Sequence, residues 1–137
     1  MTNWVKDIND MHAKYGVHDW VESNKDNKEL MQKFLHFRIK FLEEELTETK
    51  TAAVFDKDPS EIVDGLIDLC VIAIGTMDAF GVDANEAWTR VHKANMAKEV
   101  GVKESRPNPL GLPDLVKPEG WKAPEHNDNT GYITNAV

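Results

Sequence analysis

From Lys28 to Val54 the chain contains neither glycine nor proline. Asp26 or Asn27 stands ready to cap the start, so the stretch predicts one long helix over residues 28–54. At about 100° per residue, Leu30, Phe34, Phe37 and Phe41 fall on one stripe, whose next members are Glu44, Glu45 and Glu48. A second stripe, Met31, Leu35, Leu42 and Leu46, stays apolar throughout. A helix with two apolar stripes needs covering on two sides, and one of those sides becomes acidic along its length.

The neighbouring segments give it partners. Trp4, Val5, Ile8 and Met11 recur at three- and four-residue steps, predicting a short helix that ends near Gly16, with a further helical turn over Val17 to Glu22. Asp58-Pro59-Ser60-Glu61 reads as a helix start: Asp58 as cap, proline in the first turn, and Glu61 closing a capping-box-like pair. The helix it opens runs to about Phe80 and carries Glu61, Asp64 and Asp68 at i, i+3 and i+7, on one face. Its other faces are so apolar that it belongs in the middle of a bundle or against a partner chain. Gly81 ends it, and Asp83 caps a last helix over residues 84–98, with Ala87, Trp88, Val91, Ala94 and Asn95 on its apolar side.

From Gly101 the character changes. Pro107, Pro109, Pro113, Pro118 and Pro124 rule out a regular helix. Leu110, Leu112, Leu115, Val116 and Trp121 still supply apolar surface. The expected division is a helical domain over 1–100 and an extended tail over 101–137 that packs on the bundle or a partner subunit, its last residues from Asn127 polar and loose. The fold class expected is all-α, an antiparallel helical bundle.

A formal charge of −8 argues against a nucleic-acid polymer as partner, because such proteins carry a basic footprint. No apolar run reaches the ~18 residues of a membrane span. The single cysteine, Cys70, cannot form an intrachain disulfide. Together these point to a cytoplasmic protein without membrane association.

Glutamates at helical spacing are usually a solvated face, and Glu61 has a complete explanation as a capping residue. The two acidic ladders differ from that ordinary case because both continue faces that are otherwise apolar, on consecutive helices that a short connection makes neighbours. Carboxylates so gathered repel unless a cation joins them. Oxygen-only donors select hard ions, so Mg²⁺ is preferred, with Mn²⁺ as substitute. Mg²⁺ so held retains waters and accepts phosphates, which is the chemistry of phosphoanhydride hydrolysis. No glutamate stands three residues before any histidine, as a di-iron bundle requires, and no zinc spacing or phosphate-binding glycine loop is present. Asn127-Asp128-Asn129-Thr130-Gly131 is like part of a calcium loop without its closing glutamate.

Glu44-Glu45-Leu46-Thr47-Glu48 followed by Glu61-Ile62-Val63-Asp64 resembles the signature of the MazG-like all-α nucleoside triphosphate pyrophosphohydrolases. The phosphoribosyl-ATP-pyrophosphohydrolase-like branch is most similar, also at Asp64-Gly65-Leu66-Ile67-Asp68, at Val91 to Lys98 and in the tail from Lys117 to Pro124. The resemblance covers residues 28–124. It implies a bundle completed by homodimerisation, with homotetramers in some members. It implies Mg²⁺-dependent hydrolysis of ribo- or deoxyribonucleoside triphosphates between the α- and β-phosphates, giving a monophosphate and pyrophosphate. By position it makes Glu45, Glu48, Glu61 and Asp64 metal ligands, Glu44 the catalytic base or a ligand to a further metal, and Asp68 a supporting acid. Asn95 and Lys98 match its nucleotide-contacting Asn-x-x-Lys, and Lys117 or Arg106 reaches the phosphates. Trp121 stacks on a base or packs on the bundle. The stretch Arg106 to Leu115 departs from the pattern and receives no role. The alternatives are phosphoribosyl-ATP as the substrate, or a non-catalytic helical scaffold or regulatory protein on the same bundle.

Overall fold

The computed structural model describes residues 1–103, 105 and 109–137. Its chain contacts form two compact units, Met1–Ala84 with Asp128–Val137, and Asn85–Asn127. The protein is predominantly helical, as the sequence predicts, with one short two-stranded ribbon.

In the first unit, α1 spans Trp4–Lys14 and starts at Asn3, whose side chain accepts from the Lys6 N–H at 3.1 Å. Gly16, at φ +79°, makes the left-handed turn into α2, Val17–Asn24. Of the two candidate caps for the long helix, Asn27 does the work: its Oδ1 accepts from the Leu30 N–H at 3.1 Å. This helix, α3, is regular over Lys28–Thr51, shorter than the predicted 28–54, and passes into a π-helical turn, Ala52–Asp56. Thr49 and Thr51 return their hydroxyls to the carbonyls of Glu45 and Thr47, a side-chain bond that competes with the ladder just where it loosens. Asp58 then caps α4, Pro59–Ala79, accepting from the N–H groups of Ser60 and Glu61.

Helices α3 and α4 run antiparallel. Gly65 faces Thr49 near one end, while the Arg38 guanidinium bonds Thr76 Oγ1 and the Ile72 carbonyl, both at 3.0 Å, toward the other. A Cβ at Gly75 would press on Arg38 and His12, so glycine there makes room for both side chains.

The core of this unit gathers Val21, Met31, Ala79, Phe80 and Ala136, with Phe34, Leu35, Val82, Tyr132 and Ile133 packed against it. Phe34 stacks on Phe80 with centroids 5.3 Å apart and receives the edge of Trp20 at 4.9 Å. The expectation that the last residues are loose is overturned. Asn129 grips Asp83 with two 2.8 Å bonds, donating to its carbonyl and accepting from its N–H. Gly131, at φ +50°, starts a 3₁₀ helix, Gly131–Ala136, which buries Ala136; the Asn135 side chain donates to the Lys25 carbonyl at 2.7 Å. The tract that resembled a calcium loop is thus a backbone clamp.

Away from this core the apolar surface is uncovered. Phe37, Leu46, Phe55, Val63, Leu66 and Ile67 are all exposed. Among the described residues, no single helix is long and apolar enough to cross a membrane.

The second unit contains most of α5, Ala84–Met96, and the strands β1, Glu99–Gly101, and β2, Asp114–Val116. The strands pair antiparallel with Val100 opposite Leu115. Trp121 anchors the following loop by donating its indole N–H to the Ala94 carbonyl at 2.8 Å.

Candidate metal and nucleotide site

The acidic face lies beside a tight contact between α3 and α4, where Gly65 meets Thr49. A Cβ on Gly65 would overlap the Thr49 hydroxyl, so only glycine permits this spacing beside Asp64. Glu44, Glu48, Glu61 and Asp64 are exposed; Glu45 and Asp68 are half-buried. Desolvation and then the charges of Glu48, Asp68, Asp64 and Glu44 push the Glu45 carboxyl above the usual carboxylate range. That shift has a direct structural meaning, because the like charges acting on Glu45 come from both helices. Among the described residues, none of the six acids forms an ion pair.

Glu61 changes standing. A capping box would tie its carboxylate to the Asp58 N–H, but that N–H donates to the Ala52 carbonyl at 3.1 Å instead. The π-helical turn supplies that carbonyl. Asp58 still caps the helix, and the Glu61 carboxylate is left without the structural task that its spacing suggested.

The donor set fits a hard cation. It offers only carboxylate oxygens and carries negative charge without an ion-pair partner, although among the described residues no three of these acids bring their oxygens within 4.8 Å of one another. Bound there, Mg²⁺ supplies charge neutralisation for phosphates and acidifies water. The spacing at Gly65 is testable. Gly65→Ala is expected to cost about 1–3 kcal/mol, and to weaken Mg²⁺ binding by forcing Thr49 and the helix axes apart. Thermal melts with and without Mg²⁺ check both effects.

The other named residues lie in the second unit and are described there. Lys98 and Lys117 are brought together, their ammonium groups 5.4 and 5.1 Å from the Trp121 ring centroid. Trp121, fixed through Ala94, lines an open groove of about 510 Å³ with Arg90, Lys93, Pro118 and Lys122. Asn95, placed by periodicity on the apolar side of α5, is exposed. The helix buries little of that side, since Trp88 and Val91 are exposed too. Arg106 and part of the stretch Arg106 to Leu115 lie outside the described residues.

A second cluster escapes sequence reasoning altogether. Asp78 on α4 accepts from His12 Nδ1 of α1 at 2.9 Å and His18 Nε2 of α2 at 2.7 Å, both through Oδ2, while Asn9 Nδ2 donates to Oδ1 at 2.8 Å. These two imidazoles and the carboxylate form a donor set that can coordinate a divalent metal. Burial pushes the His12 ring below its ordinary pKa, against the opposing pull of Asp78. Burial raises the Asp78 carboxyl, but the hydrogen bonds from Asn9, His18 and His12 outweigh it and hold it below the usual range. No local spacing joins three residues on three helices, so only the tertiary fold reveals them.

A family model described as phosphoribosyl-ATP pyrophosphohydrolase matches residues 19–95. The match includes all six acids and Asn95, and stops before Lys98, Lys117 and the tail that also resembled the branch. No curated protein and no solved structure matches the chain significantly. The matched segment is more than half of the chain, and it holds both acidic runs, with Glu44, Glu48, Asp64 and Asp68 near enough to Glu45 for their charges to act on it. The chain belongs to the phosphoribosyl-ATP pyrophosphohydrolase family, MazG-like hydrolases acting on phosphoanhydride bonds.

Proposed function

We propose that this protein releases pyrophosphate from phosphoribosyl-ATP by hydrolysing the bond between its α- and β-phosphates. The observation that carries the reading is the shared field of Glu44, Glu45, Glu48, Asp64 and Asp68 across two helices, without a counter-charge, inside the matched segment. Glu45, Glu48, Glu61 and Asp64 hold Mg²⁺, or Mn²⁺ in its place, with Asp68 steadying them from the second helix. Glu44 takes the proton from the attacking water as its oxygen joins phosphorus, and the bridging oxygen leaves with pyrophosphate. Asn95, Lys98 and Lys117 contact the nucleotide, the lysines through its phosphates.

Turnover of phosphoribosyl-ATP against a panel of ribo- and deoxyribonucleoside triphosphates, with Mg²⁺, tests the reading. The expected products are a monophosphate and pyrophosphate, with phosphoribosyl-ATP the best substrate. Diphosphate with orthophosphate would overturn the cleavage position, and preference for a plain triphosphate would favour general nucleotide hydrolysis. No turnover on any of them would leave a helical scaffold. EDTA is expected to abolish activity, and added Mg²⁺ to restore it.

A second copy of the chain is the proposed cover for Phe37, Leu46, Val63, Leu66 and Ile67, since this much apolar surface on adjacent helices favours association. Sedimentation equilibrium is expected to give a dimer or a dimer of dimers. A monomer at micromolar concentration would remove that part of the proposal.

A further inference from the structure

We propose that His12, His18 and Asp78 form a second metal site, separate from the acidic face, that takes a borderline divalent ion of the Zn²⁺ type. His12 Nδ1, His18 Nε2 and an Asp78 carboxylate oxygen lie within 4.8 Å of one another, each from a different helix. The two rings stand at 82° to one another with centroids 6.0 Å apart, so different ring nitrogens point at one oxygen without the rings stacking.

Zn²⁺ bonds of about 2.0–2.1 Å in a tetrahedral arrangement separate donor atoms by roughly 3.3 Å. The present separations of 2.7 and 2.9 Å from Asp78 Oδ2 must therefore open by about half an ångström, within the reach of side-chain torsions. Three protein donors leave the fourth position to water. Asn9 already orients the carboxylate from behind through Oδ1, the outer-shell support that metal-binding carboxylates commonly have. His12 and Asp78 are almost wholly buried, whereas the His18 side chain is 34% exposed, so an ion enters from the His18 side. Arg38 lies across Gly75 from His12, and its charge reduces the attraction for a cation. Its guanidinium is engaged by Thr76 and the Ile72 carbonyl, and it offers the ion no competing ligand.

Two imidazoles make this set unlike the all-oxygen acidic face. Mg²⁺ prefers the acids, and Zn²⁺, Co²⁺ or Ni²⁺ prefers the histidines. An ion here would tie α1 and α2 to the C-terminal half of α4, stabilising the fold without entering the hydrolytic reaction.

The test uses the full chain, freed of metal with EDTA, carrying Glu48→Gln and Asp64→Asn to silence the acidic face. Zn²⁺ titrated calorimetrically is expected to bind once per chain and to raise the melting temperature, while Mg²⁺ does neither. Co²⁺ is expected to give the visible absorption of a tetrahedral nitrogen and oxygen site. His18→Gln, the least buried change, is expected to lower Zn²⁺ affinity at least about tenfold, and to remove the Co²⁺ spectrum with the helical circular dichroism intact. In the otherwise native chain, His18→Gln is expected to leave Mg²⁺-dependent turnover unchanged. Absence of Zn²⁺ binding, or binding that survives both His18→Gln and Asp78→Asn, would show the cluster to be a hydrogen-bonded hub alone.

Discussion

Glu48→Gln and Asp64→Asn are each expected to lower pyrophosphate release by more than about a hundredfold, with the helical circular dichroism unchanged. Both residues are exposed, so neither substitution opens a cavity or strands a buried partner. Each removes one negative charge from a set that contains no cation to balance it. The apo protein should become slightly more stable as the repulsion around Glu45 falls, while Mg²⁺ affinity drops. This opposite movement of stability and metal binding separates a ligand from a structural acid. Full activity in either variant would remove these residues from the proposed site.

Phe80→Ala is expected to produce the largest loss of stability, about 3–5 kcal/mol, or a fall in melting temperature of roughly 10–20 °C. Phe80 is fully buried, stacks on Phe34 and occupies the core shared by α2, α3, α4 and the terminal 3₁₀ helix. Its carbonyl also accepts from the Tyr132 N–H at 2.6 Å, so a cavity there loosens the attachment of the C-terminus. Urea denaturation of the variant beside the native chain gives the free-energy difference directly. A loss below about 1 kcal/mol would mean that the surrounding side chains collapse into the space.

The helices were legible because their signals are local. Asn27, Asp58, Gly16 and Gly81 mark starts and turns that need no tertiary contact to be read. The placement of the two acidic ladders on consecutive helices was legible for a related reason: both follow helical periodicity, and the connection between them is short. What escaped was set by distance in the chain. Asn129 was visible only as part of an incomplete calcium loop, because its partner Asp83 is far away in sequence. His12, His18 and Asp78 have no shared periodicity across three helices. The role of Glu61 turned on a π-helical turn at Ala52–Asp56, where threonine hydroxyls and backbone compete in a balance that periodicity does not show. The exposure of Asn95 was not legible, because an apolar stripe is buried only when something covers it, and Trp88 and Val91 on the same side of α5 are exposed as well.

The double bond between Asn129 and Asp83 has a topological consequence. It ties together the two residues of the first unit that flank the segment Asn85–Asn127, so that segment is an insertion that leaves and re-enters this unit at one place. An insertion that leaves and returns at one place can change in length without moving the residues that flank it. The groove around Trp121 can therefore be lengthened, shortened or exchanged while the spacing of α3 and α4 stays as it is. Such an arrangement lets the part of the chain that would recognise a base or sugar diverge independently of the carboxylates that would bind the metal.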